Sequence, residues 1–211
     1  MNKKRNYDND YPSVTQVLDL LRKPALEMWF KKNTLEFINR ESAKAKEIGT
    51  LLHQAIQDHI ELNEVRVETA YTDEIMNCLK SFMLFKKECP QIKLIKAEIK
   101  LTSETYKFNG TTDCLGNDRE EAILDWKSGK CGDDIKPPIY DDYIYQISAY
   151  VNLYNEVNKA NIKKAYILAL AKDQIAYNLK EIGQTEIEGN FNNVFLPLLK
   201  IWQYKKGAKN G

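Results

Sequence analysis

Three extended runs in close succession, IKLIKAEIKL (92–101), YKFNGTTDCLG (106–116) and EEAILDWKSG (120–129), constrain this chain more than any other feature. Ser103, Gly110, Gly116, Asn117 and Asp118 supply turn formers between and within them. Connections this short join antiparallel neighbours, so the runs predict a three-strand meander. Helical spacing then covers 140–157, followed by a mostly apolar run, KKAYILALA (163–171), and a further strand near 175–182. A helix between two strands is a crossover connection, and the class predicted is α/β, a mixed central sheet with flanking helices.

Upstream the pattern is helical. SVTQVLDLL (13–21) opens on Ser13 as N-cap and ends before Pro24, and PALEMWFKK starts a second helix there. A longer amphipathic helix is predicted from Ser42 to Leu62, with Ala45, Ile48, Leu52, Ala55, Ile56 and Ile60 at helical spacing, and another from Asp73 to Glu88. The expected organisation is one domain over 1–211: an N-terminal helical extension (1–41), a core (42–182) and a C-terminal helix (183–211) carrying Lys205, Lys206 and Lys209.

Charge narrows the partners only locally. The 31 basic and 30 acidic residues leave a net charge of +1, so contact with a polyanion must come from a patch. Cys78, Cys89, Cys114 and Cys131 form no CxxC pair and no close Cys/His spacing, which points away from a zinc knuckle or a disulfide framework and toward reduced thiols. The first residues contain no apolar stretch of the signal-peptide kind, and no run approaches the ~18 apolar residues of a membrane span. A soluble, cytoplasmic protein is expected.

In the third run, alternation sends Ile123, Asp125 and Lys127 to one side and Leu124 and Trp126 to the other, so an acid and a lysine project together. The tripeptide alone means little. At this composition random order gives about four acid-x-Lys tripeptides, and three occur, Glu98-Ile99-Lys100, Asp125-Trp126-Lys127 and Asp134-Ile135-Lys136. By itself such a pair reads as an exposed ion pair. Its neighbour changes the reading: Asp113 lies on the preceding run, and pairing through a turn at 116–119 brings the two carboxylates to one face. Two buried acids repel and are raised in pKa unless a cation compensates them, and Mg²⁺, which takes carboxylate oxygens and keeps several waters, is the natural one. A lysine beside that ion stabilises charge on a phosphate, or orients or deprotonates an attacking water. Asp, Asp and Lys so placed are the minimum for phosphodiester hydrolysis. The rival metal chemistry, an iron site of two His and one carboxylate, is served poorly by His53 and His59 alone.

Five elements follow one another in the chain: Gly49-Thr50-Leu51-Leu52-His53, then Glu98, then Gly110-Thr111-Thr112-Asp113, then Asp125-Trp126-Lys127, then Gln146-Ile147-Ser148-Ala149-Tyr150. In this order they resemble the RecB-type exonuclease branch of the PD-(D/E)XK nucleases, over roughly residues 45–155. Ser13-Val14-Thr15 with Pro24 and Trp29 is similar to the phage-type and mitochondrial single-strand exonucleases of that branch.

The resemblance implies a restriction-endonuclease-like core (αβββαβ) and a deoxyribonuclease dependent on Mg²⁺ or Mn²⁺, acting on single-stranded or duplex DNA ends. It makes Asp113 and Asp125 metal ligands, helped by His53 and the carbonyl of Trp126. Lys127 becomes the catalytic lysine, and Glu98 a further ligand or a carboxylate behind the ligands. Gln146 and Tyr150, four apart on one helix face, would support the water or a phosphate. Some relatives hold an iron–sulfur cluster through three cysteines near the C-terminus; here no cysteine follows Cys131, so no cluster is expected. The alternative is a catalytically silent nucleic-acid-binding or inhibitory protein of the same fold, against which the presence of Asp113, Asp125 and Lys127 together counts. Backbone-binding cations are expected among Lys3, Lys4, Arg5, Lys31, Lys32, Lys44, Lys46, Lys163, Lys164 and the C-terminal lysines. Trp29 and Phe30 either stack unpaired bases or pack into the core.

Overall fold

The computed structural model describes residues 10–63 and 71–207; of the sequence expectations, Lys3, Lys4, Arg5 and Lys209 lie outside them. Helices α1 (Val14–Leu18), α2 (Pro24–Lys32), α3 (Leu35–Leu62) and α4 (Thr72–Glu88) precede strands β1 (Lys93–Ser103), β2 (Phe108–Asp118) and β3 (Glu120–Gly129). Then come α5 (Asp141–Asn158), β4 (Lys164–Ala171), β5 (Tyr177–Gly183), α6 (Gln184–Asn190), a π-helical turn (Phe191–Phe195) and α7 (Leu196–Gly207). The five strands form one mixed sheet in the order β1-β2-β3-β4-β5, antiparallel except for the parallel β3–β4 pair that α5 connects. From α4 to β4 this is the expected αβββαβ order of a restriction-endonuclease-like core. Among the described residues no helix is long and apolar enough to cross a membrane.

Local chemistry accounts for the helix starts. The Ser13 hydroxyl accepts from the Gln16 N–H while the Gln16 side chain accepts from the Ser13 N–H, a reciprocal cap on α1. Pro24 takes the first position of α2, where its missing N–H costs nothing. The start of α3 is a correction: it begins at Leu35 rather than Ser42, because the Thr34 side chain caps the Phe37 N–H at 3.3 Å. Apolar periodicity could not show those extra turns, since Ile38 is the one residue of α3 buried before Ile48. The C-terminal segment also departs from a single helix; a π turn places Phe191 and Phe195 face to face at 5.7 Å, with Phe195 against Phe108.

Two cores cover the two faces of the sheet. On one, Ile123, Ala165 and Ile167 meet Val14, Val17, Ile147, Val151 and Leu153 of α1 and α5. On the other, Leu124, Trp126, Leu168 and Leu170 meet Leu52, Ile56, Phe82 and Phe85 of α3 and α4. Burying this much apolar area is the main driving force for the layering.

Two glycines read as turn formers lie inside β2, which is a second correction. A Cβ at Gly110 would stand 2.7 Å from Leu153 Cδ2 and 3.0 Å from the Tyr150 ring, and one at Gly116 would stand 2.8 Å from the Lys93 carbonyl oxygen. Both are kept small by crowding. Gly110→Ala therefore wedges α5 off the sheet at an expected cost of about 1–3 kcal/mol. Thermal melting of that variant should fall by about 3–10 °C, and an unchanged midpoint contradicts the close approach.

Candidate active site

The β2–β3 ladder runs from Asp118↔Glu120 to Cys114↔Leu124 and stops there. The next opposed pair would be Asp113 and Asp125. Beyond that point β2 stays paired to β1 as far as Ser103↔Phe108, and β3 to β4 as far as Gly129↔Ala171, so the sheet opens between its central strands. Where a ladder bond would fall, the Trp126 N–H donates instead to Asp113 Oδ2 at 2.9 Å. A side chain thus replaces a backbone partner at the head of the gap.

Glu98 belongs to the same row. The pairs Ala97↔Cys114 and Ile99↔Thr112 set it opposite Asp113, and its φ of 48° is left-handed, rare for a residue with a Cβ. The pleat slips here: Phe108 and Leu115 both face α5, whereas Cys114 faces α3 and α4. From α3, His53 brings its Nδ1 to 3.2 Å from Asp113 Oδ1 and 3.6 Å from Glu98 Oε1. From the α5 side of β3, Lys127 Nζ lies 2.5 Å from Asp125 Oδ2 and 5.3 Å from the centroid of the Tyr143 ring.

Of the predicted residues, His53, Glu98, Asp113, Asp125, Lys127 and the backbone of Trp126 converge on this gap; the Trp126 indole turns away into the core against Phe82. Gln146 Nε2 donates to the Tyr150 hydroxyl at 2.9 Å, and buried Tyr150 feels the charge of Asp125, which together with burial raises its pKa. The residue sequence reasoning missed is Tyr143. Its spacing from Gln146 and Tyr150 (i, i+3, i+7) was the available signal, since the three share one face of α5.

Electrostatics divides the two acids. Burial opposes ionisation of Asp113, yet His53, Lys127 and the Trp126 N–H outweigh it and hold the carboxyl at about 2. Burial also opposes Asp125, and with Asp113 beside it overcomes Lys127, pushing this carboxyl up to about 7. Burial lowers His53, but Asp113 and Glu98 more than reverse that and raise the imidazole to about 10. Lys127 is likewise raised, Asp125 and Asp113 overriding its burial, so it stands as an ammonium rather than a base.

Two observations fit a divalent cation. One donor atom each of His53, Glu98 and Asp113 lie within 4.8 Å of one another. Both Asp125 oxygens and His53 Nδ1 are buried without a well-aligned hydrogen bond, their ion pairs notwithstanding. Buried polar atoms left without a good partner are costly unless something outside the chain meets them. An imidazole and three carboxylates suit a hard or borderline divalent ion, which His53 can ligate only after losing its proton.

Other predicted groups lie elsewhere. His59 packs edge-on to Phe82 with Nε2 2.6 Å from Lys86, which leaves no two-histidine site on α3. Lys44 pairs with Glu74, and Lys164 with Asp118 and Glu120 at the far end of β4; Lys31, Lys32 and Lys46 are exposed. Phe30 is exposed and Trp29 half-buried, both outside the two cores. The four cysteines are free thiols, and burial pushes Cys78 and Cys114 up to about 12.

No family model matches the chain, and no curated protein matches it. Among solved structures it is similar to SSO0001, at 15% identity and a TM-score of 0.41 over 90% of this chain and 79% of that one. It is also similar to an alkaline exonuclease, LHK-Exo, from Laribacter hongkongensis, at 14% identity and a TM-score of 0.40 over 95% of each chain. A candidate exonuclease from Eubacterium rectale matches at 14% identity and a TM-score of 0.40 over 67% of this chain and 70% of that one.

Proposed function

We propose that this chain is a metal-dependent deoxyribonuclease of the RecB-type PD-(D/E)XK kind, hydrolysing phosphodiester bonds at single-stranded or duplex DNA ends. The observation that carries the reading is the gap between β2 and β3, where Asp113 takes the Trp126 N–H and faces His53 beside the buried Asp125–Lys127 pair. His53, Glu98, Asp113, Asp125 and the Trp126 carbonyl would hold Mg²⁺ or Mn²⁺. Such an ion, when bound, polarises the phosphate and lowers the pKa of a bound water.

The chain's own residues supply the rest. Lys127, held as an ammonium, places positive charge where a phosphoryl group gains negative charge in the transition state. Stacking over Tyr143 and pairing with Asp125 fix its long side chain, so no reorganisation is needed when that charge develops. Tyr150 accepts from Gln146, and its own O–H remains a donor for a phosphate oxygen or the attacking water. Raised by burial, that hydroxyl stays protonated at any working pH.

The test is incubation of the purified chain with end-labelled single- and double-stranded DNA in Mg²⁺, Mn²⁺ or EDTA. Shortened products are expected with metal and none with EDTA, and a ladder from one labelled end gives the polarity. Cleavage that persists in EDTA overturns the mechanism. DNA binding without cleavage in either metal gives the fold to a silent binding protein instead.

A further inference from the structure

We propose that Gly49 is the point where the substrate strand lies closest to α3, its missing side chain letting a sugar–phosphate backbone rest against the helix beside His53, with Lys46 pairing the neighbouring phosphate. This rests on the nuclease reading above.

Gly49 sits in the interior of a 28-residue helix, where glycine is the poorest choice after proline. The two β2 glycines are needed for room: a Cβ at either meets protein atoms closer than 3 Å. At Gly49 a Cβ would meet nothing within 4 Å among the described residues, and the residue is not in the left-handed region that favours glycine. Among the described residues neither space nor backbone angle calls for this glycine, as is also true of Gly189 in α6, and what sets Gly49 apart is its place beside His53. The surface in front of it is open to a strand from outside the chain.

Its place on the helix fits that strand. Ile48 and Leu52 carry the buried face of α3, and the flank beside that face carries Lys46, Gly49 and His53 at i, i+3 and i+7. His53 reaches Asp113 and Glu98 across the gap, so this flank borders the mouth of the acid cluster. At the rise of an α-helix Gly49 precedes His53 by about 6 Å and Lys46 by about 10 Å along the axis. That is the reach of the phosphates next to the one under attack. Lys46 is exposed and belongs to none of the ion pairs of the described residues, whereas Lys44 is held on the opposite flank by Glu74. A methyl group at position 49 would lift a closely held strand away from His53, which is a positioning effect.

Fold stability and substrate affinity should therefore move in opposite directions. Gly49→Ala is expected to raise the melting temperature by about 2–4 °C through helix propensity. It should weaken binding of a fluorescent single-stranded oligonucleotide, read by anisotropy in EDTA, by about 10-fold, and Gly49→Leu by more. KM should rise in proportion while kcat changes less. Lys46→Gln should reduce the slope of log affinity against log salt by about 1. Unchanged affinity and KM in Gly49→Ala overturn the proposal. A wild type that binds the oligonucleotide but never cleaves ends the nuclease reading, and the affinity comparison still decides Gly49.

Discussion

Lys127→Ala is expected to lower metal-dependent DNA cleavage by about 10²–10³-fold, the usual cost of removing one preorganised charge that meets a developing negative charge. The Nζ is fixed from two sides, 2.5 Å from Asp125 Oδ2 and over the Tyr143 ring, so its charge is in place before the negative charge develops. The fold should survive the change. Losing a buried partner is normally severe because it strands the other charge, but Asp125 already takes up a proton at about 7 and escapes by staying neutral. Lys127→Arg restores charge without the compact geometry and should recover only part of the rate. Lys164→Ala, at the other end of the sheet beside Asp118 and Glu120, controls for overall charge. Single-turnover cleavage of end-labelled DNA, with melting curves for each variant, decides it. Wild-type rates in Lys127→Ala would take the lysine out of the chemistry.

How much of this was legible in the sequence depended on whether period-two alternation held. In β3 it did: Ile123 joins the core under α5, Leu124 and Trp126 join the core under α3 and α4, and Asp125 and Lys127 face as the pattern said. In β2 it failed. Strict alternation puts Phe108 and Cys114 on one face, yet they lie in different cores; opposite Asp113 between them stands Glu98 with its left-handed backbone, and the β1–β2 register shifts by one residue at Leu94/Lys96. A slip of one residue leaves no trace in composition. The end of the β2–β3 ladder is equally silent, since Asp113 supplies by side chain the acceptor that a backbone carbonyl would have given.

The glycines misled for a physical reason. Within an extended run glycine reads as punctuation, whereas crowding by Leu153 and Tyr150 at Gly110 comes from a helix that the chain reaches only thirty residues later. Tyr143 was on a legible face of α5, but an aromatic residue on an amphipathic helix is ordinarily packing, and only its position over Lys127 sets it apart. Mutual repulsion between the two acids was foreseeable; its division was not. Asp113 is held low and Asp125 high because His53 arrives from α3 on the Asp113 side of the gap.

That division makes stability depend on pH in one direction. Free of metal, the protein should lose about 5–10 °C of melting temperature between pH 5 and pH 9, equivalent to a few kcal/mol. The folded chain holds Asp125 at about 7, above the ordinary 3.8, so it binds an extra proton between those two values, and the stability this gives, complete below 3.8, is lost as pH rises through 7. His53, raised from 6.5 to about 10, adds to the same trend: its contribution is complete below pH 6.5 and is lost on the way to 10. Asp113, lowered to about 2, works the other way, but only as pH falls below 3.8, outside the range measured. Asp125→Asn removes the first group and should flatten the slope below pH 7 while leaving the fall above it. A divalent ion needs the same two groups without their protons, so the stabilisation given by Mn²⁺ over EDTA should widen with pH as the metal-free protein weakens. Melting curves in EDTA and in excess Mn²⁺ across this range test both halves. A metal-free midpoint that is flat or climbs with pH would mean that the acids and the imidazole are not held together as the gap between β2 and β3 requires.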